Sequence, residues 1–190
     1  VPHDYLSAAA PLPEHTARGS MPVPQAPDAA QIAQAAQLID QARLPVLYMG
    51  GGIFPSEASD ALRRLAERLG APVVMSDNGR GALDDRHPLA MESLAGRAVF
   101  QHADVVVVNV LTPTASWPAG RTKFIHINVD AADLGAPRSA DVAIAADARL
   151  AIESLLEHVR RRVALSNDDA LRVKAWSRAQ IDAVQPQAAY

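Results

Sequence analysis

The sequence contains no cysteine and few aromatic residues, and both absences limit what the chain can do. Without cysteine among its 190 residues, the chain has no disulfide bond, no thiol nucleophile and no zinc site with cysteine ligands. Aromatic residues make up only 4% of the chain, whereas hydrophobic residues make up 49% and alanine is abundant. This composition favours a folded domain with closely packed helices and sheet over an aromatic-lined groove.

A strong charge and long apolar runs are lacking as well. The formal net charge is −3, which argues against nucleic acid or an anionic membrane as the main partner. No apolar run approaches the roughly 18 residues that a transmembrane helix needs, and no signal peptide is recognisable. These features predict a soluble, cytoplasmic protein with neither a nucleic-acid nor a membrane partner.

Proline is concentrated at the amino end. Residues 1–28 hold six of the 14 prolines, a density that excludes helix interiors and strand ladders. This segment is expected to be an extended linker from a preceding domain, because the chain begins with Val1 as if it were part of a longer protein. The predicted organisation is a linker over 1–28, a central α/β domain over 29–163 and a helical tail over 164–190.

Within the central domain, apolar runs of strand length alternate with helical patterns. The runs lack polar alternation, which is typical of strands covered on both faces in a parallel sheet. They occupy residues 45–50, 71–76, 103–110, 122–130 and 141–147, with a very short strand near 89–91. Helices are expected after the N-cap residues Asp28, Ser56 and Asp147, one of them ending at Gly70, and two more over 94–101 and 168–184. The predicted fold is a three-layer α/β/α, Rossmann-like domain whose doubly wound parallel sheet has about six strands.

Three consecutive glycines, Gly50, Gly51 and Gly52, follow the first strand. Glycine lets backbone N–H groups approach phosphate oxygens, and a following helix N-terminus favours negative charge, so a nucleotide or diphosphate site is one interpretation. The other is a tight turn that needs positive φ angles. The letters match neither G-x-G-x-x-G nor a P-loop with its lysine, and both interpretations stay open.

The loop after the second strand holds a second set of candidate ligand residues: Asn78, Gly79, Arg80 and Gly81. The two glycines can turn backbone amides outward, and Arg80 could pair with a phosphate.

Further along this loop, Asp84, Asp85 and His87 are interpreted as turn and hydrogen-bonded loop residues rather than metal ligands. Adjacent carboxylates point in different directions, and no fourth ligand is apparent.

Later loops add Trp117, expected to cover a sheet edge, and Asp130, which follows a strand. A carboxylate there can accept a ribose hydroxyl or cap the short turn that follows, and both alternatives stay open.

Six short segments, in a fixed order, carry a resemblance to a known family. They read RLPVLYMGGG, LAERLGAPVV, GRGALDDRHP, HADVVVVNV, FIHINVD and DVAIAAD. This set resembles the central domain of thiamine-diphosphate-dependent enzymes, the group that contains acetolactate synthase, pyruvate oxidase, benzoylformate decarboxylase and oxalyl-CoA decarboxylase. The resemblance covers residues 29–159. The start, VPHDYL, resembles the close of the pyrimidine-binding domain of this family, and residues 168–184 resemble the lead-in to its pyrophosphate-binding domain.

The resemblance implies that the chemistry lies outside these 190 residues. In the family, thiamine diphosphate and Mg²⁺ are bound by the neighbouring pyrimidine- and pyrophosphate-binding domains of the same chain, which supply the activating glutamate and a G-D-G motif. The longer enzyme that contains such a central domain, called here the parent enzyme, is expected to be a homodimer or homotetramer. This part of it is expected to contain no catalytic residue and no metal ligand, and to be inactive alone.

In some family members the central domain binds a nucleotide, namely FAD in acetolactate synthase and ADP or CoA in oxalyl-CoA decarboxylase. The resemblance places the candidate contacts at Gly50–Gly52, Asn78–Gly81, Asn109 and Asp130. Flavin binders usually carry G-x-R after the A-D strand, where this sequence reads Asn109, Val110 and Leu111. This departure favours a degenerate or empty site. Two alternatives are a ligand-free scaffold and a free-standing NAD-binding enzyme of sirtuin-like topology.

Overall fold

The computed structural model describes residues 23–109, 122–135 and 138–160, together with residue 179. The α-helices are α1 (Ala29–Gln41), α2 (Ser59–Leu69), α3 (Ser93–Phe100) and α4 (Ala148–His158). The strands are β1 (Pro45–Met49), β2 (Val73–Met75), β3 (Ala90–Glu92), β4 (Val105–Asn109), β5 (Lys123–Asn128) and β6 (Val142–Ala145). Most of the predicted linker, Trp117 and nearly all of the helix expected over 168–184 lie outside the described residues.

The six strands form one sheet in which every neighbouring pair is parallel. Their order is β3-β2-β1-β4-β5-β6, the order of a dinucleotide-binding doubly wound fold. The predicted Rossmann-like architecture is therefore confirmed. The strand order reverses between β1 and β4, so the carboxyl ends of these two strands flank the crevice where such folds bind ligands.

Helices cover both faces of the sheet, which explains why the strands carry no polar alternation. One face, including Leu47 and Ile125, packs against α1, α2 and α4. The opposite face, including Tyr48 and Val106, packs against Phe100 at the end of α3. Every residue of β1 is buried, as expected for the central strand of a sheet covered on both sides. None of the described helices is long and apolar enough to cross a membrane.

Most helix ends follow the sequence signals. The Asp28 carboxylate accepts hydrogen bonds from the backbone N–H groups of Ala30 and Gln31 at the start of α1, at 2.9 and 3.0 Å. Asp147 caps α4 through a 3.1 Å hydrogen bond from the N–H of Leu150. Gly70 ends α2 in the left-handed conformation, with φ of 60°.

The N-cap predicted at Ser56 is wrong. Helix α2 begins three residues later, at Ser59, and its preceding residue Ala58 makes no side-chain capping bond. Glu57 has a φ of 51°, and the N–H of Ala58 donates to the carbonyl of Ile53. Ser56 therefore lies within a turn that reverses the chain before the helix starts.

Two aspartates of the family-like motifs join neighbouring strands at their amino ends. Asp104, just before β4, accepts hydrogen bonds from the N–H groups of Arg43 and Leu44, at 2.6 and 3.0 Å. Asp141, just before β6, accepts from the N–H of Phe124 at 2.9 Å. Each carboxylate joins its own strand to the start of the neighbouring strand.

Gly96 allows α3 to approach the sheet closely, a requirement that the sequence analysis missed. A β-carbon at this position would collide with Cγ1 of Val74 on β2 and lie 2.9 Å from its Cγ2. The helix backbone therefore rests directly on the Val74 side chain.

A double-mutant cycle tests this contact. Gly96→Ala should lower the free energy of unfolding by about 1–3 kcal/mol, because the added methyl group overpacks the interface. In a Val74→Ala background the methyl group has room, and the substitution should become neutral or stabilising, because alanine has a helix propensity about 1 kcal/mol better than glycine. Urea unfolding followed by circular dichroism measures all four proteins. Additive effects within about 0.5 kcal/mol would show that Val74 is not the constraint.

Candidate functional site

Loops at the carboxyl ends of four strands form the candidate site, called here the carboxyl rim. It comprises residues 50–53 after β1, 76–81 after β2, Asn109 at the end of β4 and 128–133 after β5. The N–H of Gly50 donates to the carbonyl of Asn109 at 3.0 Å, and the N–H of Ser76 donates to the carbonyl of Met49 at 3.0 Å. The structure thus brings the loops after β1 and β2 and Asn109, the last residue of β4, into direct contact around the end of β1.

None of the three consecutive glycines has a positive φ, and two of them, Gly51 and Gly52, are needed for close approach. Among the described glycines, positive φ angles occur only at Gly70, Gly81 and Gly135, so the interpretation of residues 50–52 as a positive-φ turn is wrong. A β-carbon at Gly52 would lie 2.9 Å from Oδ1 of Asn109.

Gly51 is similarly confined, because a β-carbon there would lie 3.2 Å from the carbonyl oxygen of Asn78. These two glycines let the loop after β1 pack on the loop after β2 and on Asn109 at the end of β4.

Gly79 is the most tightly constrained of the candidate residues. A β-carbon there would collide with the carbonyl oxygen of Met49 and lie 3.1 Å from the α-carbon of Gly50. Both neighbours are backbone atoms, which cannot move aside as a side chain can. Gly81 is different, since its φ of 91° requires glycine although the space around it is open.

Asn109 leaves one polar atom without a partner at the point where the strand order reverses. Its Nδ2 donates to the carbonyl of Ile127 at 3.1 Å, whereas its buried Oδ1 has no hydrogen-bond donor among the described residues. The missing partner must be an N–H or O–H group, because an amide oxygen is an acceptor only. A diphosphate, whose oxygens are acceptors as well, does not satisfy this atom.

Charge on the rim is mainly negative. Arg80 is exposed and forms no ion pair with any described residue. The rim loops also carry the carboxylates Asp77, Asp130 and Asp133. One arginine among three aspartates is a poor electrostatic setting for a diphosphate.

Asp130 takes the capping role, one of the two alternatives that its position allowed. Its Oδ1 accepts a hydrogen bond from the N–H of Ala132 at 2.9 Å, and its own N–H donates to Oδ1 of Asn128 at 3.0 Å. These contacts close the short turn after β5. A contact with a ribose hydroxyl stays a prediction.

The residues near the end of the second loop are engaged with one another, as interpreted from the sequence. Asp84 accepts from the N–H of Arg86 at 2.8 Å and forms an ion pair with its guanidinium group. His87 Nε2 lies 3.3 Å from Oε1 of Glu67, and its Nδ1 accepts from the N–H of Leu89 at 3.2 Å. Among the described residues, no group of three His, Asp or Glu side chains could hold a metal ion.

His126 is a buried polar residue that the sequence analysis did not single out. It lies on β5, and its Nδ1 accepts a hydrogen bond from the N–H of Gly135 at 3.3 Å, whereas the buried Nε2 has no partner. Burial lowers the pKa of His126, and the negative charge of Asp133 partly opposes this effect. A histidine within an otherwise apolar strand, FIHINV, was the signal that could have revealed it.

Comparison with known proteins identifies the family. Residues 32–155, more than half of the chain, match the family model described as thiamine pyrophosphate enzyme, central domain. The chain belongs to this family. The six ordered motifs of the sequence therefore indicated the right group of proteins, and the parallel six-stranded sheet is that of a thiamine pyrophosphate enzyme central domain.

Curated relatives include acetolactate synthases. The enzyme from Mycobacterium avium is 37% identical over 155 residues, which cover 75% of this chain and 25% of the relative. The acetolactate synthase large subunit of Parasynechococcus marenigrum is 32% identical over 170 residues, which cover 83% of this chain and 27% of the relative. The chain thus spans about a quarter of the length of the curated relatives that it matches.

Solved structures of the same family superimpose on the chain. One structure, described as that of a thiamin diphosphate-dependent enzyme from Mycobacterium smegmatis, superimposes with a TM-score of 0.64 and 29% identity. The match covers 79% of this chain and 32% of that one. Benzoylformate decarboxylase from Polynucleobacter necessarius has a TM-score of 0.64 and 23% identity, over 81% of this chain and 31% of that one, a likeness of fold alone.

The described residues do not fit a site for a metal ion or for the diphosphate of thiamine pyrophosphate, the group that the family's description names. They provide no group of metal ligands, and the rim carries more carboxylates than cations. None of the comparisons supports the alternative of a free-standing, sirtuin-like NAD-binding enzyme.

His126 generates a pH-dependence prediction for this central domain. Because its pKa is lower in the folded chain than in the unfolded chain, where it is about 6.5, the unfolded chain binds more protons between the two values. The stability that depends on neutral His126 is complete above the unfolded pKa and is lost as the pH falls toward the folded pKa. The free energy of unfolding, measured by urea titration across this range, should fall less steeply with acidification in His126→Gln.

A second variant separates this effect from a general loss of packing. Asp133→Asn removes the charge that raises the pKa of His126, so its stability should fall more steeply with acidification than that of the unmodified chain. Equal slopes in all three proteins would contradict the assignment of this titration to His126.

Proposed function

We propose that this chain is the non-catalytic central domain of an acetolactate synthase-like, thiamine diphosphate-dependent decarboxylase or carboligase. Its role there is that of a structural core beside the pyrimidine- and pyrophosphate-binding domains of the same chain. These neighbouring domains hold thiamine diphosphate and Mg²⁺, and the parent enzyme is a homodimer or homotetramer. The family match and the acetolactate synthase relatives support this proposal.

One observation carries the structural role: the aspartates of the family-like motifs bind the backbone of their own domain. Asp104 holds the two N–H groups that precede β1, Asp141 holds the start of β5, and Asp147 caps α4. Asp141 also forms a 2.7 Å ion pair with Lys123. Carboxylates engaged in this way stabilise strand and helix ends and are not offered to a substrate or a cofactor.

The chemistry of such an enzyme comes from its cofactor. Thiamine diphosphate, when bound, stabilises the carbanion that forms when a 2-oxo acid loses carbon dioxide. The described residues of this chain present no metal-ligand group at the carboxyl rim. Their contribution is structural, because they join neighbouring strands and loops at both ends of the strands.

We further propose that the carboxyl rim is a degenerate nucleotide site that holds neither FAD nor ADP tightly. A β-carbon at Gly51, Gly52 or Gly79 would press against a neighbouring segment of the rim, so these glycines serve contacts within the domain. Asn109 stands where flavin binders carry the glycine of G-x-R, and Leu111 stands where they carry the arginine, so the charge partner of that motif is missing. Arg80 is the rim's one cation among the described residues, against three aspartates.

A ligand titration tests this proposal. FAD, ADP, CoA and NAD are added separately to the purified chain, and the melting temperature is measured for each. A ligand at 100 times its dissociation constant stabilises by about 2.7 kcal/mol. In a chain of this size that corresponds to a rise of about 5 °C or more. The expected result is no shift with any of the four.

Three results of these experiments would contradict the proposed function. A rise with FAD, ADP or CoA that is lost in Arg80→Ala and kept in the control Arg64→Ala, an exposed arginine on α2, would contradict the degenerate site. A rise with NAD alone would favour the free-standing NAD-binding enzyme instead. Turnover of a 2-oxo acid by the purified chain, with thiamine diphosphate and Mg²⁺ added, would overturn the non-catalytic role.

A further inference from the structure

One dipeptide on the carboxyl rim is prone to a spontaneous reaction. Asn78-Gly79 is the only Asn-Gly pair among the four asparagines of the sequence. It lies in the short 3₁₀ turn Asp77–Gly79 that follows β2. The side chain of Asn78 is exposed, whereas Gly79 is buried against the loop after β1.

The reaction is deamidation through a cyclic imide. The backbone nitrogen of Gly79 attacks Cγ of Asn78, a new C–N bond forms, and the bond from Cγ to Nδ2 breaks. Nδ2 leaves as ammonia and takes up the proton that the Gly79 nitrogen loses. Water then opens the imide at either carbonyl and yields aspartate or isoaspartate. Glycine favours the attack because it has no β-carbon to hinder it.

In the folded chain the attacking nitrogen is held by hydrogen bonds. The N–H of Gly79 donates to the carbonyl of Ser76 at 2.9 Å and is also within 3.2 Å of the Ser76 Oγ. The turn around Gly79 lies directly on the end of β1, because a β-carbon at Gly79 would collide with Met49 and lie 3.1 Å from the α-carbon of Gly50. The nitrogen becomes available only when this turn leaves the loop after β1.

We propose that Asn78 is a modification site controlled by local opening of the carboxyl rim. The closed turn protects the residue, and each opening exposes it to irreversible deamidation. The product adds a carboxylate beside Asp77, and isoaspartate also adds a methylene group to the backbone of the turn. The carbonyl oxygen and Cβ of Asn78 already lie within 3.2 and 3.3 Å of a β-carbon position at Gly51. The isoaspartate product, with its longer backbone, therefore cannot restore the original packing of the rim, whereas the aspartate product changes only its charge.

The test is a timed incubation at mildly alkaline pH, followed by tryptic digestion and mass spectrometry of the peptide 69–80. Four proteins are compared with the free synthetic peptide: the unmodified chain, Ser76→Ala, Ser76→Thr and the control Ser139→Ala. Far-UV circular dichroism checks that each protein is folded. Ser139 is exposed and lies outside the rim, so its substitution should leave the rate unchanged.

We expect the folded chain to deamidate at Asn78 at least tenfold more slowly than the peptide. This factor corresponds to an opening free energy of about 1.4 kcal/mol or more. Ser76→Ala should react faster than the unmodified chain, because it loses the Oγ acceptor, and Ser76→Thr, which keeps a hydroxyl group, should react as slowly as the unmodified chain.

Deamidation of the folded chain at the rate of the peptide would overturn the proposal. So would a Ser76→Ala rate equal to that of the unmodified chain. If Ser76→Ala fails to fold, the comparison of the chain, Ser76→Thr and the peptide still decides whether the closed turn protects Asn78.

Discussion

Backbone-to-backbone contact between the loops after β1 and β2 is the constraint on which the carboxyl rim depends. The turn that contains Gly79 rests on the carbonyl of Met49, and the N–H of Ser76 donates to that same carbonyl. From the other side, the N–H of Gly50 binds the carbonyl of Asn109. Among the described residues, the end of β1 is thus in direct contact with both of its neighbours in the sheet, at the place where the strand order reverses.

The two ends of the strands are held by different contacts. At the amino ends, Asp104 and Asp141 each bind N–H groups at the start of the neighbouring strand. At the carboxyl ends, glycines allow close contact between the loops, and Asp130 closes the turn after β5. Both arrangements join neighbouring segments through contacts within the domain, although Oδ1 of Asn109 stays without a partner among the described residues.

Much of the fold could be predicted from the sequence because its signals are local. The uninterrupted apolar runs located the strands, and Asp28, Asp147 and Gly70 marked helix ends through bonds to their immediate neighbours. Ser56 failed because the positive φ of Glu57 inserts a turn that capping preferences do not reveal.

The site was harder to predict because its determinants lie far apart in the sequence. The need for glycine at residue 52 comes from Asn109, and the need at Gly96 comes from Val74. The burial of His126 likewise depends on strands distant in the sequence, although its place among apolar residues was a local signal. The resemblance to the family placed candidate contacts in the loops after β1 and β2 and at Asn109. The structure shows that these three places contact one another.

The most direct measurement of the interlocked rim is the free energy of unfolding of Gly79→Ala beside that of Gly81→Ala, both obtained by urea titration. Alanine at residue 81 meets open space and suffers only the positive φ, at a cost of about 1–2 kcal/mol. Alanine at residue 79 must push the two loops apart, so the loss of stability should exceed that of Gly81→Ala by at least about 1 kcal/mol. An equal or smaller loss for Gly79→Ala would contradict the interlocked rim.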